Sequence, residues 1–401
     1  MRRSRSIALR GIVILAVSAG LAFAVVAVGI ANIADNNAPS RALRFYPFHG
    51  DALANQAFNT LQGGRPADVA RAEELARRAF YRDPTSVAAV RTLGLIQDVR
   101  GKRNRASRVL GHALALNRRD LVTHLWLIEY NVQRGDAVGA LRHYDMALRT
   151  SAAAHPILMP ILIEASSDPG IRAPLTQFLA KRPAWASTFI REIIAKADPV
   201  DAAVDLERRL GRAGAPFSAQ QDEDLAVRLV AEERFVTAAQ LMNRNADPAT
   251  VIDPGFDFRK RAGVFSWALQ STYSLGAGED LATSNQADHV LSIFSAPGQG
   301  GEVARQLLML KPGRYRISST ANGLTLVPPD QGRWVVSCAG RNGRDIVTLN
   351  LLGGSGSQTG ANAFEVPDLG CVAQWIALVL KAPADTGIQG QVEKVEITPL
   401  R

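Results

Sequence analysis

Six histidines, His49, His112, His124, His143, His155 and His289, and two cysteines, Cys338 and Cys371, are the side chains best suited to ligate a metal or attack a carbonyl. The histidines never fall into an HExxH or similar close ligand pair, and two cysteines are too few for a Cys-rich zinc site. A nucleophilic Cys working with His289 has no motif behind it. Carboxylates adjoin at Glu73-Glu74, Asp222-Glu223-Asp224 and Glu232-Glu233, in charged helical stretches where solvation and helix-start electrostatics account for them. Asp280, Asp288 and His289 are close in sequence, but their spacing fixes no metal geometry. The glycine clusters 298–301 and 353–356 lie between β-like runs and lack the helix and Lys of a phosphate loop. There is no GxSxG and no GxGxxG after a strand. The chain reads as a non-enzyme, with no cofactor and no metal.

The sequence is better equipped for export, stacking and binding. Its 401 residues suffice for two or three domains with sizeable cores. A 47% hydrophobic fraction excludes a disordered chain, and 33 Gly with 20 Pro exclude a collagen-like one. The formal charge of +9 points to nucleic acid only until it is located. Residues 1–10 carry +4, residues 65–149 carry +7 (16 basic against 9 acidic), and the remainder carries −2.

The first of these segments is a topology signal. After Arg2, Arg3, Arg5 and Arg10, residues 11–31 run 21 positions without a charge, and Asp35 follows. At ~1.5 Å per helical residue the run spans about 30 Å, the thickness of a hydrocarbon core. Flanking charge then sets the N-terminus in the cytoplasm and residues 35–401 on the far side. A cleaved signal peptide, ending near Ala22-Phe23-Ala24, is the rival, but its apolar core would be shorter. Residues 1–34 are therefore expected to be a basic tip and a single-pass anchor in the inner membrane of a Gram-negative-type cell. The bulk of the chain is then periplasmic, with no nucleic-acid partner.

The second basic segment is periodic. Ala72, Ala106 and Ala140 are 34 apart, as are Ala79, Ala113 and Ala147, and Gly101 and Gly135 keep the same interval. Small residues let antiparallel helices approach closely, and the glycines end one helix before the next begins. Leu93-Gly94, Ala106-x3-Leu110-x2-Ala113 and Ala140-x3-Tyr144-x2-Ala147 resemble the tetratricopeptide repeat, and Ala72-x3-Ala76-x2-Ala79 with Pro84 matches less fully. Val90 and Gln97 stand where the family has Trp and Tyr, and Ile128 stands at a Gly position. The resemblance implies an α-solenoid over residues 40–250, regular over 50–150 and degenerate over 155–250, whose first helices line a groove for a protein or peptide. Its groove candidates are Arg91, Asp98, Arg118, Arg119 and Glu129. A basic face this near the anchor suits anionic lipid headgroups, an acidic peptide or an anionic polysaccharide.

From Phe256 to Arg401 short β-like runs alternate with Pro312-Gly313, Asn322-Gly323, Gln331-Gly332 and Asn342-Gly343. Eight or so strands without a helical period predict an antiparallel, jelly-roll-like β-sandwich. Trp334 and Trp375 are the glycan-stacking candidates, although Trp at alternating strand positions usually fills a core. Cys338 and Cys371 adjoin strands, and in an exported compartment a disulfide is the default; free buried thiols are the alternative. The expected protein is an anchored periplasmic scaffold that binds an envelope protein through its helices and protein or glycan through its sandwich. Its settings are polysaccharide, secretion or cell-wall assembly. The competing reading is a glycan-active enzyme with its site in the sandwich.

Overall fold

The computed structural model describes residues 39–40, 43, 50–242, 250–258, 263–282, 289–324, 330–341 and 343–400, in two compact units that divide after Phe217. No helix among the described residues is long and apolar enough to cross a membrane. The anchor expected at residues 11–31 lies outside the described residues.

The first unit begins with three helix hairpins. They are α1 (Gly50–Leu61) with α2 (Pro66–Arg82), α3 (Val87–Val99) with α4 (Arg103–Leu116), and α5 (Leu121–Gln133) with α6 (Ala137–Thr150). The 34-residue positions fall on the second helix of each. Ala72, Ala76 and Ala79 of α2, Ala106, Leu110 and Ala113 of α4, and Ala140, Tyr144 and Ala147 of α6 are all buried. Gly101 and Gly135 have φ of +74° and +72°, the left-handed geometry that stops α3 and α5. Helix starts repeat too: Ser86 caps α3 through Ala89 N–H, and 34 residues later Asp120 caps α5 through Thr123 N–H. Four further helices follow, α7 (His155–Ala165), α8 (Pro169–Leu179), α9 (Ala186–Lys196) and α10 (Asp201–Arg212). Trp185, before α9, is buried and donates its indole N–H to Asp145 of α6 at 2.9 Å.

The second unit opens with α11 (Ala219–Ala231) and α12 (Phe235–Met242) and continues into an antiparallel sandwich with ten strands among the described residues. The strands are β1 (Ala268–Leu269), β2 (Leu275–Leu281), β3 (His289–Ser295), β4 (Gly300–Leu308), β5 (Gly313–Asn322), β6 (Gly332–Cys338), β7 (Asp345–Asn350), β8 (Gln358–Val366), β9 (Gln374–Lys381) and β10 (Ile388–Pro399). One sheet has the order β1-β4-β9-β6-β7 and the other β2-β3-β10-β5-β8. Leu291, Ile293, Ile317, Trp334, Ile376, Leu378, Val395 and Ile397 meet between them, alternating with residues that face away. The outward face of the first sheet is not bare. Leu307 and Trp375 pack there with Phe235 and Ala239 of α12 and Val230 of α11. Cys338 and Cys371 are bonded, joining the end of β6 to the segment that leads into β9, with Cα atoms 5.0 Å apart. Closing a loop of this length stabilises by about 3–4 kcal/mol in the chain-entropy account.

Gly94 shows how tightly the hairpins close. A Cβ there would lie 2.7 Å from Leu110 Cγ, so α3 and α4 touch through a position only glycine fills. Gly94→Ala should destabilise the first unit by about 1–3 kcal/mol through overpacking. Gly111→Ala, at an exposed helical site with nothing within 4 Å of the added carbon, should be neutral or stabilising. Urea titration of both variants followed by helical circular dichroism checks the pair.

Candidate functional site

Charges on the first helices converge on the seams between hairpins. Arg91 of α3 donates from Nη1 to Asp120 Oδ1 at 2.5 Å, with side chains only 13% and 9% exposed. Its guanidinium also lies 5.0 Å from the centroid of Phe58 on α1. Asp120 meanwhile caps α5, accepting from Thr123 N–H at 3.2 Å and from the Thr123 hydroxyl at 2.5 Å. One cation thus ties three successive hairpins. In that position it holds the stack together; a ligand would have to displace the carboxylate to reach it.

A second knot lies two turns along α3. Asp98 of α3 accepts from Trp126 Nε1 at 2.8 Å and from Arg103 Nε at 3.1 Å. Arg103 also approaches Glu129 Oε1 of α5 at 3.6 Å, and its guanidinium sits 5.9 Å from the Trp126 centroid. Trp126 stacks on Tyr130 at 5.2 Å, and Arg134 covers Tyr130 at 5.4 Å. Burial pushes the Glu129 carboxyl up, with Asp98 adding to the effect and Arg103 opposing it. Of the five groove candidates, Asp98 and Glu129 therefore meet around Arg103, and Arg91 is taken by Asp120. Arg118 and Arg119 stay exposed on the turn between α4 and α5.

The histidines include one close pair that no local motif marks. His124 of α5 and His143 of α6 bring their Nδ1 atoms to 3.2 Å, with ring centroids 5.4 Å apart. His124 Nε2 lies 2.9 Å from the Arg118 carbonyl, which only accepts, so the neutral ring carries its proton on Nε2. Its Nδ1 then accepts from His143 Nδ1–H. Burial lowers both rings below the usual histidine value, His143 to about 4 with help from His124 and Arg142. Nineteen residues and a helix turn separate the two, so only the hairpin brings them together. Among the described residues no group of three His, Cys, Asp or Glu side chains gathers to hold a metal ion.

In the second unit the aromatic candidates separate. Trp334 is fully buried, donates Nε1–H to Ser319 Oγ at 2.9 Å and lies 5.6 Å from Trp267. No sugar ring reaches its face, which corrects its assignment as a stacking platform. Trp375 is partly buried beneath α11 and α12, with the Arg305 guanidinium 4.8 Å from its ring centroid. The open polar surface is the outward face of the second sheet. There Ser292 donates to Asp280 at 2.9 Å, Thr320 meets Thr359 at 2.9 Å, and Ser318 donates to Glu396 at 3.3 Å. Phe294 lies on this face beside Gln389, and Ser292 beside Gln391. Leu291 and Ile293, between them in sequence, point into the core. Aromatic periodicity leads to the buried tryptophans, whereas this face is signalled only by hydroxyl and amide residues at alternate strand positions.

No protein-family model matches the chain, and no curated protein matches it. Several solved structures are similar to part of it. The bacteriophage CBA120 tailspike protein 4 enzymatically active domain is 12% identical, over 39% of this chain and 22% of that one, with a TM-score of 0.29. This chain therefore spans about a fifth of the tailspike domain's length. The CBM22-1 xylan-binding domain from Paenibacillus barcinonensis Xyn10C is 6% identical over 39% of this chain and 96% of that one, with a TM-score of 0.28. A Family 16 carbohydrate-binding module is 11% identical over 37% and 98%, with the same TM-score.

Two measurements test the repeat-unit geometry. Asp120→Ala removes a helix cap and strands a nearly buried guanidinium, so it should cost about 3 kcal/mol in urea, while Arg118→Ala costs under about 0.5. The histidine pair should also make stability depend on pH. Both rings have folded-state values below the unfolded one of about 6.5, so the unfolded chain binds protons first as pH drops. The stability is present above pH 6.5 and is lost as pH falls toward the folded value of about 4 for His143. The pH slope of stability should be shallower in His143→Asn by up to about 1.4 kcal/mol per pH unit, measured by thermal melts from pH 7.5 to 4.5.

Proposed function

We propose that the chain is an anchored periplasmic scaffold whose TPR-like hairpins hold an envelope protein and whose sandwich binds glycan. The observation that carries the glycan part is the outward face of the second sheet. Sugars are bound through hydrogen bonds to their hydroxyls and by stacking on an aromatic ring. Ser292 of β3, Ser318 and Thr320 of β5 and Thr359 of β8 supply hydroxyls on this one face, and Phe294 supplies a ring beyond Ser292 on β3. The Cys338–Cys371 bond supports an oxidising compartment, which fits export past the membrane. Support for the protein-binding part comes from the hairpins: Glu73–Arg100 bridges the first and second, and Arg91–Asp120 and Arg103–Glu129 bridge the second and third, which makes a rigid scaffold with its surface free for recognition.

Affinity electrophoresis of the whole chain through gels containing individual polysaccharides tests the reading. Phe294→Ala and Ser292→Ala should each release most of the retardation by the bound polysaccharide, by about 1–2 kcal/mol apiece. Trp334→Phe, a core change, should leave retardation intact while lowering stability. Retardation by no polysaccharide, or retardation unchanged in Phe294→Ala, would overturn the glycan assignment.

A further inference from the structure

The charge surplus of the hairpins has a definite place. Every acidic residue of segment 65–149 is engaged. Asp68 pairs with Arg65, Glu73 with Arg77 and Arg100, Glu74 with Arg78, and Asp145 with Arg149. Asp98 and Glu129 share Arg103, Asp120 takes Arg91, and Asp83 and Asp136 bind Thr85 and Gly139 N–H at helix ends. Arg71, Arg105, Arg108, Arg118, Arg119 and Arg142 are left exposed, with no ion pair among the described residues.

Four of these share one face. Arg71 on α2 and Arg105 on α4 are 34 residues apart, as are Arg108 on α4 and Arg142 on α6, so they occupy equivalent positions of successive hairpins. Each lies away from the buried Ala72, Ala106 and Ala140 stripe on its helix. The same outward face exposes Tyr81 of α2 at 79% and Val138 of α6 at 44%. Val138 comes one turn before Arg142, Tyr81 lies toward the end of α2, and position 74, equivalent to 108 and 142, holds Glu74 paired with Arg78. Cations flanked by single apolar and aromatic side chains are the composition of a surface that rests in a headgroup layer. Eighteen residues separate the apolar run 11–31 from Gly50, a reach of at most about 60 Å, so a bilayer would be available at high effective concentration.

We propose that this outward face of the second helices docks on an anionic phospholipid surface, through Arg71, Arg105, Arg108 and Arg142 with Tyr81 and Val138. The proposal rests on reading residues 11–31 as the anchor. Docking would lay the hairpins against the membrane that holds them and leave their first helices turned toward other partners. The attraction is electrostatic and falls within a Debye length, so it depends on lipid charge and on salt.

The test uses the full chain in nanodiscs with an environment-sensitive fluorophore at His112→Cys, an exposed site on the same face. Discs of phosphatidylcholine are compared with discs containing phosphatidylglycerol. The expected result is a blue shift only in the anionic discs, lost at high salt and lost in R71E/R105E/R108E. The corresponding triple alanine variant, with an unchanged urea midpoint, should lose part of the shift. Equal emission in both discs, with the chain still retained after a high-salt wash, overturns the docking and leaves the anchor standing. If the chain is washed from both discs, the anchor reading fails, and phosphatidylglycerol vesicles added at low salt then decide: a shift supports the face, and no shift overturns it. A shift produced by polygalacturonate and not by anionic lipid also overturns the proposal, since the partner would then be a glycan.

Discussion

Two short antiparallel helices cannot bury their apolar faces alone, and the repeat unit depends on how closely each hairpin meets its neighbour. Alanine recurs at 72, 106 and 140 and at 79, 113 and 147 because the facing helices leave no room for more. Gly94 marks the tightest approach, where even a methyl group meets Leu110. With backbones this close, most polar groups caught in the seam pair there, although Arg91 Nε is left without a hydrogen-bond partner. Arg91 finds Asp120, and Trp126 and Arg103 find Asp98. Arg91, Asp98 and Glu129 thus act as joints of the stack, while Arg118 and Arg119 stay exposed.

This division of labour explains the electrostatics of the segment. Most of its acids sit at seams and helix ends, Glu74 pairs with Arg78 one turn along its own helix, and Arg71, Arg105, Arg108 and Arg142 face solvent. A net charge read from composition says nothing about this partition; it appears only when the partners are known. The same closeness confines His124 and His143, which are neutral because burial disfavours the charged ring and because a second charge beside the first is costly.

In the second unit the inner strands are legible, as are the edge strands β1 and β7, but the edge strands of the second sheet are not. β3, β5, β6, β9 and β10 lie inside their sheets; burial alternates along β3, β5, β6 and the second half of β10, while β9 is a continuous apolar run beneath α11 and α12. β2 (LGAGEDL) and β8 (QTGANAFEV) lie at the two edges of one sheet, expose much of their length and are made of small and polar residues. An edge strand with one neighbour and one wet face has little apolar surface to bury, so its sequence resembles a loop. The helices α11 and α12 carry an ordinary helical pattern, and nothing local assigns them to the sandwich. Phe235 and Ala239 do so by covering Leu307 and Trp375.

By itself the sequence determined a helical region followed by an antiparallel sandwich, the 34-residue spacing of its closest helix contacts, and the location of its basic excess. These are local or periodic properties, carried by side-chain size, turn residues and charge that repeat along the chain. Which charges are paired, which tryptophan is buried, and which face of the sandwich is open were decided only in three dimensions. Arg91 and Asp120 are 29 residues apart, and Trp334 and Ser319 are 15 apart. The partners of such groups are set by how helices stack and strands register, which no window of sequence contains.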